Sequence, residues 1–348
     1  MRLRKVAALA LIASISLVTA ACSTTPSPPA GPDDAASEKS AEMQTVIYAE
    51  GARTVSDWDH YVALALDLYE KNGVELDSVS TQTAVAATQL LVTGDANVGR
   101  GLAPTVQVVS QSNGAITLID VADILIRPPF VINSKSGSTM ADLEGLKLGV
   151  SSPTDSTSVV AAAALGILGI EGVELVSSGG TGARLAALVG GALDAALLLP
   201  PANFTAEDEG FARVGYLPDD LGEDWLSSFT AIIVEPKWAA ANEDALNGIL
   251  TARHEALQFL ADPDNRDEAI EILAEATEIS VEIAEKTYEL LAIGTDRSAF
   301  ASEIGVSEAA AGDVLKVLQD AGQASEEMEL ADITNDSYAA EVRAAFKK

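Results

Sequence analysis

The chain has 348 residues, of which 48% are hydrophobic and 21% charged, so it can bury one large core or two medium ones and is not disordered throughout. Its formal net charge of −31 argues against a nucleic-acid partner. Cys22 is the only cysteine, which excludes a disulfide framework, a cysteine-based zinc cluster and a redox pair within the chain.

The first 21 residues have the pattern of an export signal. Arg2, Arg4 and Lys5 precede an apolar run over residues 6–18, which is too short to span a bilayer as a permanent helix. Small residues then lead into Cys22, and this order resembles the lipobox of bacterial lipoproteins, whose cysteine becomes the acylated first residue. The resemblance implies a lipoprotein signal peptide over residues 1–21 and a membrane anchor at Cys22. An ordinary signal peptide followed by an incidental cysteine is the alternative.

The next segment has the composition of a linker. Residues 23–41 are rich in Pro, Ser, Ala and Gly and contain no aromatic or β-branched apolar residue. Because such a segment has almost nothing to bury, we predict that residues 22–43 form a disordered tether. A random coil of this length reaches on the order of 25 Å, enough to hold a folded body just off a membrane surface.

From residue 44 onward, strand-like and helix-like segments alternate. The first series consists of a strand over 45–49, a helix over 58–70 closed by Asn72 and Gly73, a strand over 74–80, a helix over 84–93 and a strand over 96–99. The second series consists of a strand over 146–151, a helix over 156–168, a strand over 173–177, a helix over 183–189 and a strand over 194–199. This alternation predicts an α/β fold with parallel strand pairing.

The two series are related by an internal repeat. Segments 91–97 and 188–194 share an apolar pair, a helix-ending glycine and an Asn or Asp three residues after it. The repeat predicts two lobes of like architecture. Residues 44–130 plus 230–348 are expected to form lobe 1, and residues 131–229 lobe 2.

Two stretches are expected to cross between these lobes. Residues 115–133 are apolar but contain Pro128 and Pro129, and a proline pair forbids helix and restrains sheet pairing. The return crossing is expected near residues 225–235, where a strand over 229–234 precedes a proline. Further helices are predicted over residues 238–260, 266–276, 281–291 and 307–320.

Several motifs carry a family resemblance that runs from about residue 45 to residue 293. They are YVALA at 61–65, EKNGVEL at 70–76, GDANV at 94–98, ADLEGLKLGV at 141–150 and GALDAA at 191–196. Together they resemble the periplasmic binding proteins of nitrate, sulfonate and taurine importers, a group that also includes binders of thiamine pyrimidine precursors. Asn97 stands where that family usually places Asp.

The resemblance implies a two-lobed periplasmic-binding-protein-like fold of type II, in which each lobe is a mainly parallel sheet flanked by helices. It also implies an extracytoplasmic solute-binding protein that holds a small organic solute between its lobes and delivers it to an ABC permease and its ATPase. A clamp of this kind is expected to be a monomer. The solute is expected to be a sulfonate- or nitrate-type anion or a thiamine-pyrimidine-like heteroaromatic.

The candidate binding residues follow from a general rule of open α/β sheets, in which ligands lie outside the carboxyl ends of the strands. The candidates in the first lobe are Ser56, Asp57, Trp58, Thr83, Arg100 and Gly101. The candidates in the second lobe are Ser152, Thr154, Asp155, Ser156, Thr157, Thr181, Pro200 and Asn203.

Each of these assignments has a structural alternative. The hydroxyls and backbone N–H groups of residues 151–157 precede a helix and suit an anionic or carbonyl group, but capping by Asp155 or Ser156 explains them equally well. Trp58 beside Asp57 offers a flat wall and an acceptor to a heteroaromatic ring, or else packs in the core. Arg100 pairs with an acidic group or lies on a solvated rim.

No pattern for catalysis is present in the sequence. The only histidines are His60 and His254, and there is no Gly-x-Ser-x-Gly elbow, no His-Glu-x-x-His motif and no Walker loop. We therefore expect no cofactor, no metal and no enzyme activity, and a related thiamine-pyrimidine enzyme branch needs an internal cysteine cluster that this chain lacks. A ligand-sensing or adhesion lipoprotein of the same fold without a transporter is the alternative function.

Overall fold

The structure, a computed structural model, describes residues 43–347 except 52, 82, 83, 103, 113, 115, 116, 154 and 223, and it describes only the backbone at 100–102 and 106. All of these residues belong to the second of two compact units, residues 41–348. The predicted signal peptide, Cys22 and all but the last residue of the predicted tether lie outside the described residues. Within the described part, no helix is long and apolar enough to cross a membrane.

Strands and helices alternate through most of this unit. The strands are β1 (Gln44–Glu50), β2 (Val74–Ser80), β3 (Val98–Leu102), β4 (Ile119–Leu125), β5 (Val131–Ser134), β6 (Lys147–Val150), β7 (Glu174–Ser177), β8 (Ala195–Leu198), β9 (Ala212–Tyr216), β10 (Thr230–Val234) and β11 (Phe300–Gly305). The helices up to the return crossing are α1 (Trp58–Ala65), α2 (Leu68–Lys71), α3 (Ala84–Thr93), α4 (Pro104–Ser112), α5 (Ser156–Leu168), α6 (Thr181–Val189), α7 (Ala202–Asp208) and α8 (Leu217–Asp220). The helices after it are α9 (Pro236–Ala241), α10 (Glu243–Ala261), α11 (Arg266–Thr277), α12 (Val281–Leu290), α13 (Glu308–Asp320) and α14 (Ser337–Phe346).

The strands form two sheets that share one plan. The first sheet has the order β11-β4-β10-β3-β1-β2, and the second has the order β7-β6-β8-β5-β9. In the first, β1 is parallel to β2 and β3, and β10 lies antiparallel between β3 and β4. In the second, β6 is parallel to β7 and β8, and β5 lies antiparallel between β8 and β9. Most strands of each sheet therefore run in one direction, which confirms the predicted α/β class.

The internal repeat has a structural cause at its Asn and Asp positions. Asn97 accepts a hydrogen bond from the backbone of Ile47 at 2.9 Å and donates its own N–H to the Ile47 carbonyl at 2.8 Å. Asp194 makes the same two bonds with Lys147, each at 3.1 Å. Both residues therefore join the start of the third parallel strand to the middle one of the three parallel strands, β1 or β6. The Asn in place of the usual Asp keeps this structural role.

Two adjacent segments connect the sheets. Residues 126–130 lead from β4 to β5, and residues 221–229 lead from α8 back to β10, within or next to the stretches predicted to cross. The ring centroids of Phe130 and Phe229 are 5.1 Å apart in an edge-to-face arrangement. The backbone N–H of Ser227 donates to Ile126 at 2.9 Å. The two crossings therefore pack against each other.

Some predicted elements differ in the structure. The helix predicted over residues 58–70 is interrupted between α1 and α2, because Asp67 has a left-handed backbone with φ of 53°. The helix predicted over residues 238–260 is divided into α9 and α10 at Asn242. The strand predicted over residues 96–99 starts and ends later, as β3.

Candidate functional site

The carboxyl ends of β1, β2 and β3 meet in one row at the edge of the first sheet. Glu50 is in register with Ser80 on one side and with Arg100 on the other. The chain then enters a 3₁₀ turn, Val55–Asp57, whose Ser56 and Asp57 are buried. The candidates Arg100 and Gly101 lie on β3 at this edge, and Thr83 lies outside the described residues.

Trp58 is placed in the core, which corrects its prediction as a wall for an aromatic solute. Its side chain has no exposed surface, and its indole N–H donates to the Ala269 carbonyl at 2.8 Å. The indole also meets the edge of Tyr288, with ring centroids 6.0 Å apart. Packing between α1, α11 and α12 satisfies both the apolar ring and its polar N–H, which is the core packing that the sequence left open as the alternative.

Glu50 is a candidate that the sequence did not identify. Its carboxylate accepts hydrogen bonds from His60 Nε2 at 3.0 Å and from the Ser80 hydroxyl at 3.1 Å. Burial acts to raise the pKa of Glu50, but the hydrogen bond and charge of His60 and the hydroxyls of Ser78 and Ser80 outweigh it and lower the pKa to about 2. Glu50 is therefore an ionised carboxylate that these donors hold in place.

A buried polar network lies behind Glu50. His60 Nδ1 and the Tyr69 hydroxyl share a hydrogen bond of 2.7 Å, and Arg253 donates to the same hydroxyl at 3.2 Å. Arg253 also forms an ion pair with Asp59, and both of these side chains are fully buried. Burial lowers the pKa of Arg253 to about 10. His60 is enclosed in this network and holds the Glu50 carboxylate in place.

The corresponding edge of the second sheet is rich in hydroxyl groups, and capping accounts for several of them. Asp155 caps α5 by accepting from the Thr157 backbone N–H at 3.1 Å. The Thr157 hydroxyl in turn accepts from the Ser151 N–H at 3.0 Å, and the Ser152 carbonyl accepts from the Ser158 hydroxyl. The capping alternative is therefore realised for Asp155. Thr154 lies outside the described residues.

Arg184 is the second group at these edges that the sequence did not identify. It lies in the first turns of α6 and is 2% exposed. Its Nε donates to the Leu197 carbonyl at 2.7 Å, its Nη1 to the Gly179 carbonyl at 2.8 Å and its Nη2 to the Thr181 hydroxyl at 3.0 Å. Burial lowers its pKa to about 10, while the charge of Asp155 acts in the opposite direction. A buried positive charge therefore lies at the carboxyl ends of β7 and β8.

The last two candidates follow β8. Pro200 is buried and is joined to Pro201 by a cis peptide bond. Asn203 is also buried, and its side-chain amide donates to Glu207 at 3.4 Å. Its side-chain oxygen has no hydrogen-bond partner among the residues that the structure describes. It is thus an acceptor at the start of α7 that is open to a donor.

Two cavities lie away from these edges. One, of about 400 Å³, lies between α5 and α13 and is lined mainly by apolar side chains such as Val160 and Val317. The other, of about 340 Å³, lies between α7 and α12 and includes Glu207, Arg213 and Lys286. None of the candidate residues lines either cavity. Over the described residues, no group of three or more His, Cys, Asp or Glu side chains is arranged to hold a metal ion.

A family model described as NMT1/THI5 like matches residues 58–266, which is more than half of the chain. This range includes α1, the whole second sheet and both crossings. No curated protein matches the chain.

Solved structures share the fold at low sequence identity. The periplasmic nitrate-binding protein NrtA from Synechocystis PCC 6803 is 14% identical, with a TM-score of 0.70, and the match covers 88% of this chain and 90% of that one. The periplasmic aliphatic sulphonate binding protein SsuA from Escherichia coli is 17% identical, with a TM-score of 0.67 and coverage of 83% and 96%. The desulfurization enzyme DSZB is 16% identical, with a TM-score of 0.65 and coverage of 87% and 99%. The two-lobed fold is therefore common to binding proteins and to an enzyme.

Proposed function

The chain belongs to the NMT1/THI5-like family, and from that premise we propose that it is the extracytoplasmic solute-binding component of an ABC importer. It captures a small organic solute between lobe 1, residues 44–130 plus 230–348, and lobe 2, residues 131–229. It then delivers the solute to a permease driven by an ATPase. The solute is a sulfonate- or nitrate-type anion or a thiamine-pyrimidine-like heteroaromatic.

The observation that carries this proposal is the connection of two sheets of similar plan, which differ by the extra edge strand β11, through two adjacent crossings. In the part of the chain that the structure describes, residues 126–130 and 221–229 lead from one sheet to the other, so bending confined to these short segments moves one sheet against the other. Each sheet presents polar groups at the carboxyl ends of its parallel strands, where ligands of open α/β sheets bind. A solute that touches both edges favours the closed arrangement.

The two edges offer different chemistry to a solute. On the first, Glu50 and Asp57 are buried acidic side chains that suit N–H or O–H donors. On the second, Ser156, Thr157 and the N-terminus of α5 suit acceptors and anionic groups. We propose these groups, together with Ser56, Thr83, Arg100, Gly101, Ser152, Thr154, Thr181, Pro200 and Asn203, as the lining of the site.

Binding without catalysis is supported by the state of the two histidines. Both His60 and His254 are buried, and each is held by hydrogen bonds: His60 to Glu50 and Tyr69, and His254 to the Ile304 N–H at 3.3 Å. Neither is available at the sheet edges as a general base. This distinguishes the proposal from an enzyme on the same fold.

The location of the protein follows from the N-terminal pattern. We propose export by the segment 1–21, acylation of Cys22, and a flexible tether over residues 22–43 that holds a monomeric body at the outer face of the cell membrane. Replacing Cys22 by Ser is expected to release the protein into the soluble fraction while leaving the signal for export intact. Retention of the Cys22→Ser protein in the membrane would contradict the anchor.

Thermal unfolding of the chain from residue 22 onward, carrying Cys22→Ser, tests the binding function. The panel consists of alkanesulfonates, nitrate, aromatic carboxylates, and hydroxymethyl- and formylamino-pyrimidines. A solute at about 100 times its Kd stabilises the native state by roughly 2.7 kcal/mol, so one selective rise in Tm is expected. No rise with any member would instead favour a ligand-sensing or adhesion lipoprotein of the same fold.

A further inference from the structure

Among the described residues, Arg184 and Arg253 are the arginines with buried side chains, and their partners differ. Arg253 is fully buried and forms an ion pair with Asp59, which is also fully buried. Arg184 is nearly as buried, at 2% exposure, yet no carboxylate of a described residue lies within 4.0 Å of it. Burying an unpaired charge costs several kcal/mol, and a paired carboxylate is the usual remedy. Arg184 therefore retains a positive charge that the described residues do not neutralise directly.

The contacts of Arg184 leave hydrogen-bonding capacity unused. A guanidinium has five N–H groups, and Arg184 commits one from each nitrogen, to Leu197, Gly179 and Thr181. Among the residues that the structure describes, no acceptor is found for the second N–H of either Nη1 or Nη2. The three acceptors fix the guanidinium at the carboxyl ends of β7 and β8. The group is thus held rigidly at the edge where the solute is proposed to bind.

The surroundings of Arg184 favour a negative group at this edge. Helices α5 and α6 both begin at this edge of the second sheet, and the backbone N–H groups of their first turns add positive potential. Asp155 is the carboxylate whose charge acts on Arg184, but one of its oxygens is occupied in capping α5. The first sheet differs, because the carboxylate buried at its edge, Glu50, is already paired with His60.

We propose that Arg184 determines specificity by supplying the positive charge for an acidic group of the solute, such as a sulfonate, phosphate or carboxylate. This inference rests on the proposed solute-binding function and narrows its substrate class. The acidic group faces the second sheet, because Arg184 and the N-termini of α5 and α6 lie at that edge. Arg184 acts through its charge, from which a neutral solute gains nothing, while its bonds to the Gly179 carbonyl and the Thr181 hydroxyl hold the guanidinium in place.

Inorganic sulfate is the probe for this proposal, because it carries the charge without requiring the identity of the solute. Thermal unfolding of the Cys22→Ser chain is followed against sulfate, with chloride balancing the ionic strength. A saturable rise in Tm is expected. Arg184→Gln weakens the apparent sulfate affinity at least about 10-fold, as expected for loss of a charged hydrogen-bonding group, whereas Arg184→Lys keeps it within about 3-fold. Arg213→Gln, an exposed arginine of the same sheet paired with Glu207, leaves it unchanged.

Three outcomes would overturn the proposal: no saturable sulfate effect, equal sulfate affinity in Arg184→Gln, or equal loss in the Gln and Lys variants. The last result would mark Arg184 as purely structural.

If Arg184→Gln does not fold, dimethyl sulfone replaces the variant as the test, because it is a neutral analogue of sulfate. Sulfone binding as tight as sulfate binding by the unaltered site contradicts a role for the charge. A neutral hit in the solute panel with no sulfate binding would remove this inference and leave the binding function standing.

Discussion

Asp123→Asn is predicted to change how the stability of the protein depends on pH. Asp123 is fully buried in β4 beside the first crossing. Its carboxylate accepts hydrogen bonds from the Ser228 hydroxyl on the return crossing and from the Ser307 N–H, at 2.7 Å, before α13. Burial raises its pKa from 3.8 to about 6, although these hydrogen bonds act in the opposite direction. The neighbouring Asp120, also buried, has its pKa raised further by burial and by the charge of Asp123.

The direction in which stability changes with pH follows from proton linkage. Above pH 6 Asp123 is ionised in both the folded and the unfolded chain, and the folded state bears the whole cost of the buried charge. A shift of about 2 pKa units corresponds to roughly 3 kcal/mol. As the pH falls from 6 toward 4, the folded state binds the proton first and this cost disappears. The group therefore adds stability on acidification, and Asp123→Asn removes that gain.

Urea unfolding from pH 7 to pH 4 measures the effect. The free energy of unfolding of the parent, minus that of Asp123→Asn, is expected to rise by about 2 kcal/mol over this range, because the unfolded chain is itself partly protonated at pH 4. Asp142→Asn is the matched control, because backbone N–H groups of Ser138 and Thr139 lower the pKa of the exposed Asp142. Asp142 therefore loses stabilising interactions on acidification, which is the opposite pH dependence to that of Asp123. Parallel pH profiles for the parent and Asp123→Asn would refute the reasoning.

Two further substitutions test the buried groups near the first sheet. Asp59→Asn leaves Arg253 as an unpaired buried charge and is expected to lower the free energy of urea unfolding by about 3 to 5 kcal/mol. Lys316→Gln is the control: it removes an exposed ion pair and is expected to change this free energy by less than about 1 kcal/mol. Trp58→Phe leaves the Ala269 carbonyl without its indole donor and is expected to lower stability by about 1 to 3 kcal/mol with little change in solute affinity. A large loss of affinity with normal stability would return Trp58 to the binding site.

Much of the fold was predictable because local signals and the repeat agree. Alternating strand and helix patterns with glycines at helix ends located most elements to within a few residues, and Asn97 and Asp194 mark equivalent places in the two sheets. The strand β11 was missed because it has no alternating apolar pattern and pairs with β4 only irregularly. Its position depends on tertiary contacts that a local pattern does not contain.

The binding site was less predictable, for reasons that differ among residues. Trp58 follows a strand and was assigned to the site, but its burial depends on α11, more than 200 residues away in sequence. Glu50 was missed because it is the last residue of a strand rather than part of the loop after it. Arg184 was missed because the sequence does not show which side chains surround it in the folded protein. The absence of acidic residues between 175 and 193 is the one local signal that it lacks a carboxylate partner.

Closure of the two lobes around a solute is the central claim, and a distance between them tests it most directly. Val85 of α3 and Val189 of α6 are exposed, and with Cys22→Ser in place a cysteine at each accepts a label without competition. The distance between the labels is measured before and after adding the solute that raises Tm. The account predicts that this distance changes saturably, with the same apparent Kd as the rise in Tm. Saturating solute with no change in the distance would contradict a clamp.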